Sequence, residues 1–307
     1  MKNRHGLVDV GTIRMSAALL RDAKFFARSL DSPPLVEVAS ESEASVQDLS
    51  TAGERTVSVD TPVGTFEAAY MPWEWRGPEY PTLIYHHGSG ERPFDFGRFS
   101  SNSFRRVFAA ADDPIPANVV AVRAPFHDRS NMAYARAMGD LENFVGMLAA
   151  SSALVDALAE RASEQTSSPV LASGSSLGGW AVNLHRACFD TVDHYAPMFA
   201  GAALGEMFVS SVYRKMTAEA ARRRPEHLRD VLDFEAEFRD AEAADCTPLL
   251  ARYDRIIEYD RQRSAYAGMS LSVLNKGHVT GSLASDRLRE HVRSSLSACT
   301  DRSSRSE

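Results

Sequence analysis

From residue 55 onward the chain alternates short apolar runs with longer amphipathic stretches. The runs "RTVSVDTP" and "TFEAAYMPW" flank Val63-Gly64 and predict an antiparallel hairpin. "PTLIYHHG" is apolar without alternation and ends in glycine, the pattern of a strand buried on both faces. Residues 98–111, "RFSSNSFRRVFAAA", predict a helix, and "ANVVAVRAPF" a strand. One long helix is expected over roughly 131–162, with Met138, Leu141, Phe144, Val145, Leu148 and Leu154 on one stripe. Strand "PVLASGS", helix "GWAVNLHRACF" and strand "DHYAPMFAGAA" follow. A charged helical insertion over roughly 205–245 separates these from strand "TPLLARYD", helix "DRQRSAYA", strand "MSLSVLNKG" and helix "SDRLREHVRSSL". Strands alternating with helices after an opening hairpin predict a single α/β domain over 55–300. Its sheet is mostly parallel and eight-stranded, with helices on both faces.

The first 54 residues follow a different pattern. "TIRMSAALLRDAKFFARSL" spaces Met15, Leu19, Phe26 and Leu30 as an amphipathic helix, and "ESEASVQDLSTAGE" is a polar linker or loop. That helix is a clasp on the main body or a membrane-surface element. Its mixed charges, without a basic face, favour packing. Residues 301–307, "DRSSRSE", are expected to be a flexible tail.

Composition narrows the class of function. A net charge of -7 and a pI near 5.8 argue against a nucleic-acid-binding face. Cys188, Cys246 and Cys299 are odd in number and far apart, so neither a disulfide framework nor a zinc site is implied. No apolar run approaches the ~18 residues that span a bilayer, and the N-terminus lacks a signal-peptide pattern. A cytoplasmic protein without a membrane partner is expected.

The candidate chemistry begins in "PVLASGSSLGGW", residues 169–180, where a strand passes straight into a helix. Such a junction forces a strained turn, and residues two positions either side of its apex come too close for side chains. Ser176 has Gly174 and Gly178 at those positions, whereas Ser175 would have Ser173 and Leu177. Ser176 is therefore the candidate nucleophile. The N–H of Leu177, at the helix start, is a candidate oxyanion donor with the helix dipole behind it, and Gly179 lets the helix approach the sheet. The alternative is a glycine-rich turn without chemistry; the phosphate-loop spacings GxGxxG and GxxxxGK[ST] are absent.

A serine needs a base, and the base needs a carboxylate to orient it. A base reaching the apex must lie on a loop at the C-terminal end of a strand. This sets aside His185, His227 and His291 in helical segments, His5 in the N-terminal tail and His194 at a strand start. His278, in "NKGHVTGS" two residues past a strand, is the candidate base, with a plain surface-loop histidine as the alternative. His86 and His87 open "HHGSGE", whose glycines shape a loop of ligand-facing N–H groups. The N–H of Ser89 is the second candidate oxyanion donor, and the two histidines brace the loop. His127 in "RAPFHDRSN" either lines the pocket or is a solvated loop residue. For the acid, Asp254 ends a strand, with Asp260 as the fallback and Glu206 as a further option, Glu258 lying with Asp260 in the following helix; a helix N-cap is the non-catalytic reading of Asp254.

Together these pieces resemble the α/β-hydrolase superfamily over roughly residues 55–298. The correspondence rests on "HHGSG" after the third strand, "GSSLGG" after the fifth, "RYD" after the seventh and "KGH" after the eighth. "HHGSG" matches the simpler glycine-loop form, and Arg252-Tyr253 stand where the superfamily often has a glycine before the acid. The resemblance implies an α/β-hydrolase fold, a Ser176–Asp254–His278 triad and an oxyanion hole from Leu177 and Ser89, with no metal or organic cofactor. The implied activity is that of an esterase-like serine hydrolase of class EC 3.1.1 acting on a small-molecule acyl substrate. A peptidase, thioesterase or acyltransferase with the same triad, or a non-catalytic binding module, is the alternative. Residues 205–245 fall where the superfamily inserts its helical cap. There Leu228, Val231, Leu232 and Phe238 form an apolar face that packs on the body or, with Met207, Phe208 and Tyr213, roofs an acyl pocket. Its charge disfavours an interface-activated lipase.

Overall fold

The computed structural model describes residues 4–20, 23–97, 100, 102–241 and 245–306. The hairpin forms as expected, β1 (Arg55–Thr61) against β2 (Gly64–Glu74), with Gly64 taking the turn at a φ of +130°. There follow β3 (Thr82–His86), β4 (Asn118–Arg123), β5 (Val170–Ser175), β6 (His194–Met198), β7 (Asp245–Cys246), β8 (Leu249–Ala251) and β9 (Ser272–Leu274). The sheet runs β1-β2-β4-β3-β5-β6-β8-β9, with β7 paired to β6. Among the described strands, the β1/β2 and β2/β4 pairings are antiparallel and the others parallel. The strand beyond the expected eight is β7, two residues long and too short to leave a pattern in the sequence.

The helices are α1 (Arg4–Leu20), α2 (Leu35–Ser40), α3 (Asn131–Ala137), α4 (Leu141–Gln165), α5 (Leu177–Cys188) and α6 (Leu204–Val209). Beyond them lie α7 (Glu219–Arg222), α8 (Pro225–Leu232), α9 (Glu235–Asp240), α10 (Tyr259–Gln262), α11 (His278–Ser282) and α12 (Ser285–Ser306). Two cores separate cleanly across the sheet, because successive side chains point to opposite faces. Leu83 and Tyr85 of β3, Val119 and Ala121 of β4, and Leu171 of β5 enter the core shared with α12. Ile84, Val120, Val122, Val170 and Ala172 enter the core shared with α2, α4 and α5. Burial on both faces explains why these strands read as unbroken apolar runs. Helix α4 is long and apolar enough to cross a membrane, yet 83% of its apolar window is buried inside the fold, as in a core helix.

Four expectations are corrected. The long helix over 131–162 is two helices, because Gly139 and Asp140 leave the helical path and the carbonyls of Met138 and Gly139 accept the N–H groups of Phe26 and Arg28. The helix expected over 12–30 instead spans 4–20; Met15 and Leu19 on its supposed buried stripe face solvent, while Gly6, Asp9 and Ile13 are buried. Phe26 is buried, but in an irregular segment with a φ of 60°. Residues 98–111 contribute only the short helical turn Arg105–Ala109; positions 98, 99 and 101 lie outside the described residues. Finally, α12 continues to Ser306, through most of the stretch expected as a tail.

The insertion is helical. Leu228, Val231, Leu232 and Phe238 are all buried against the body and do not line the cavity that borders Ser176, so packing is their role.

Candidate active site

Parallel strands β3, β5, β8 and β9 bring their C-terminal ends to one edge of the sheet. At the end of β5 the backbone bends into α5 through Ser176, at φ 55° and ψ −110°. That region is forbidding for a non-glycine residue and is held only where the surroundings dictate it. The glycines account for the space: a Cβ on Gly174 would lie 2.4 Å from Gly178 C, and one on Gly178 would lie 2.2 Å from His86 O. A Cβ on Gly179 would sit 2.7 Å from Met198 O, so this glycine admits the helix to β6. Ser175 stays buried within the strand, whereas Ser176 is partly exposed and borders the cavity above the sheet edge.

The structure brings Ser176, His278 and Asp254 into one hydrogen-bonded chain. His278 Nδ1 donates to Asp254 Oδ2 at 2.7 Å, which leaves Nε2 to accept from the Ser176 hydroxyl at 3.0 Å. Asp254 Oδ1 also accepts the N–H groups of Ile256 and Ile257, both at 2.8 Å, so one carboxylate caps the turn and orients the imidazole together. The fallback acids are engaged elsewhere. Glu206 pairs with Arg229 at 2.8 Å, Asp260 extends into solvent, and Glu258 faces Arg255. Burial disfavours the imidazolium of His278, but the negative charges of Asp254 and Asp9 and the hydrogen bond donated to Asp254 outweigh it and raise its pKa.

The loop after β3 commits two of its N–H groups to side chains. Gly88 N–H donates to Glu91 Oε2 at 3.3 Å and Gly90 N–H to His127 Nε2 at 3.1 Å. Among the described residues, neither Ser89 N–H nor Leu177 N–H donates a hydrogen bond to the protein, and both residues border the cavity. The histidines of this loop are braces. His86 Nδ1 and His87 Nδ1 donate to the carbonyls of His87 and Gly88, and His87 Nε2 accepts from Ala124 N–H. Burial lowers the pKa of His86 and His127 to about 4 and that of His87 well below its ordinary value, so all three are neutral. His127 is thus neither solvated nor a cavity residue, but a buried acceptor that fixes Gly90.

Sequence reasoning missed the contribution of α1. His5, assigned to a tail, lies on this helix, bonds Thr280 Oγ1 at 3.0 Å and stacks on Tyr253. One turn on, the fully buried Asp9 accepts the N–H groups of His278 (2.9 Å), Val279 (2.9 Å) and Arg255 (3.1 Å). The only sequence signal was a lone carboxylate in "HGLVDVGTI", which carries meaning only once the helix phase is known.

A cavity of about 770 Å³ opens over Ser176. Ile13, Leu19 and Leu20 of α1 wall one part of it, and Met207, Tyr213 and Met216 of the insertion another. Phe208, expected in the roof, packs instead among Phe25, Phe26 and Phe144.

No protein-family model and no curated protein matches the sequence. Solved structures do. The chain superposes on acetyl xylan esterase 1 from Thermoanaerobacterium sp. JW/SL YS485 with a TM-score of 0.51 and 15% identity, over 92% of this chain and 93% of that one. Acetyl xylan esterase from Paenibacillus sp. R4 gives 0.50 and 14%, over 93% of each chain. An acylaminoacyl peptidase from Pyrococcus horikoshii gives 0.52 and 15%, over 78% of this chain and 40% of the peptidase. At such identities the likeness is one of fold.

Proposed function

The chain has the α/β-hydrolase fold, and on that premise we propose that it is a serine hydrolase cleaving a carboxylic ester or related acyl bond through an acyl-enzyme on Ser176. The supporting observation is the unbroken hydrogen-bonded chain from Ser176 through His278 to Asp254 at the cavity floor. Ser176 Oγ attacks the acyl carbon while His278 Nε2 takes its proton. Asp254 holds Nδ1–H and offsets the charge of the imidazolium. The N–H groups of Leu177 and Ser89 receive the developing oxyanion, a contribution of about 3 kcal/mol per donor in related chemistry. His278 then passes its proton to the leaving alkoxide, and the same imidazole activates the water that releases the acid. These residues need no metal or organic cofactor for that sequence.

Peptidases, thioesterases and acyltransferases share this acyl-enzyme, so the leaving group is decided by assay rather than by the triad. A fluorophosphonate probe tests the common step: it should label the protein and fail to label Ser176→Ala. Label retained by Ser176→Ala would remove Ser176 from the scheme. Parallel turnover of matched p-nitrophenyl esters, anilides and thioesters then orders the bond types.

A further inference from the structure

Resting on the serine-hydrolase reading of this site, we propose that its substrate carries an uncharged, apolar acyl group several methylenes long. The described residues around the 770 Å³ cavity include Phe25, Phe144, Trp180, Met207, Met216 and Ile256, and among the described residues no arginine or lysine lines it. Glu91, the one carboxylate among the described residues of the wall, is already spent on the N–H and hydroxyl of Ser103 and the N–H of Gly88, and burial raises its pKa. Among the described residues a charged acyl group would therefore find no free counter-ion, while an alkyl chain would find a predominantly apolar surface. The apolar lining continues out of the cavity onto its rim, where Leu19 (70% exposed), Leu283 (60%) and Met132 (40%) stand in solvent. A volume of this size holds far more than an acetyl group. Each buried methylene should raise kcat/KM about fourfold. With p-nitrophenyl acetate, butyrate, hexanoate and octanoate, kcat/KM is expected to rise by at least about tenfold from acetate to hexanoate. A succinyl monoester should fall well below butyrate. Equal rates for acetate and hexanoate, in protein that still takes the fluorophosphonate label on Ser176, would overturn the acyl proposal and leave the nucleophile standing. Absence of both labelling and turnover would instead remove the nucleophile and this proposal with it.

The geometry also points to Asp9 as a positioning residue for the candidate base and acid. Its carboxylate joins three backbone N–H groups from two loops: those of His278 and Val279 on one and of Arg255, next to Asp254, on the other. Gly277 is what lets the helix come this close, since a Cβ there would lie 2.7 Å from Asp9 Oδ2 and 2.8 Å from His5 O. The groups around the imidazole are Asp254 from the β8 loop, Asp9 and His5 from α1, Ser176 from the turn and the Phe199 ring. Of these, Asp254 and Asp9 bear the negative charge. Asp9→Asn keeps the shape, loses the charge and turns one acceptor into a donor facing N–H groups. It is expected to lower kcat by about 10- to 100-fold, the cost of a misplaced catalytic group, with KM nearly unchanged and the acid limb of the pH profile moved to lower pH. Gly277→Ala, whose methyl would press on the Asp9 carboxylate and the His5 carbonyl and push α1 off the loop while residue 9 stays an aspartate, should give the same split between kcat and KM and serves where Asp9→Asn does not fold. Asp9→Glu should recover the acid limb toward that of the parent. A folded Asp9→Asn, or in its place a folded Gly277→Ala, with parental kcat and acid limb would overturn the assignment, leaving Asp9 a plain structural anchor.

Discussion

The turn at Ser176 and helix α1 meet at one cluster and reach it by opposite means. At the turn the constraints are close at hand: Gly174, Gly178 and the φ of Ser176 lie within five residues, and their contacts are with the sheet they spring from. At α1 the constraint joins the two ends of the chain, Asp9 holding the backbone of residues 255, 278 and 279. The first is a matter of backbone sterics and declares itself in residue types. The second is a hydrogen-bonding demand of buried N–H groups, which any acceptor from anywhere in the chain can meet. The candidate site thus draws on rigid local geometry for its serine and on a long-range clasp for the loops that face it.

The sharpest way to break the comparison is at the turn. Ser176→Ala should abolish ester hydrolysis, by about 10⁶-fold in kcat, without unfolding the protein. Ser176→Gly removes the same hydroxyl and also relieves the backbone. Strain of this kind is worth about 1–3 kcal/mol and the added entropy of glycine costs about 0.5–1 kcal/mol. The expected net gain of about 1 kcal/mol raises Tm by about 1.5 °C over Ser176→Ala in thermal melts. A Ser176→Gly protein that melts at or below Ser176→Ala would show that the turn stores no strain.

The two carboxylates give the next contrast. Asp254 touches the imidazole, so Asp254→Asn should lower kcat by about 10⁴-fold, against about 10- to 100-fold for Asp9→Asn. The pH profile sharpens this. Burial works against the imidazolium of His278, but Asp254 first and Asp9 after it raise its pKa above the ordinary 6.5. A base must be neutral to act, so kcat/KM should fall as pH drops through a value above 6.5. Removing either negative charge favours the neutral form and moves that limb to lower pH, further for Asp254→Asn. A limb that stays in place in Asp254→Asn would mean that another group controls it.

How much of this was legible follows the same division. The hairpin, the buried strands and the glycine frame of Ser176 are encoded by neighbours, and Asp254 and His278 were found because strand ends converge on one sheet edge. The split between α3 and α4 was not legible, because it is fixed by N–H groups of Phe26 and Arg28 over 100 positions away. Helix α1 was misphased for a related reason. Its apolar residues occur on both faces, Ile13 inside and Leu7, Met15 and Leu19 outside, so periodicity alone could not choose the buried one. Asp9 decides it, because a carboxylate bonded to three N–H groups outweighs a few exposed methyl groups. His127 went astray likewise: a loop histidine becomes a buried acceptor only because Gly90 brings an N–H to it.

The outer face of α1 also supplies the mildest test. Leu19 borders the cavity yet stands mostly in solvent, so it can touch only the far end of a long acyl chain. Leu19→Ser should leave the hydrolysis of a p-nitrophenyl acetate unchanged and lower kcat/KM for the octanoate by about threefold, the worth of one or two partly buried methylenes. The change should fall on KM, since the contact is remote from the acyl carbon and equally present before and during reaction. Stability should shift by no more than about 0.5 kcal/mol, as for other exposed positions. An equal loss on both esters would mean that Leu19 acts through the packing of α1, and would tie the pocket wall to the Asp9 clasp on the same helix.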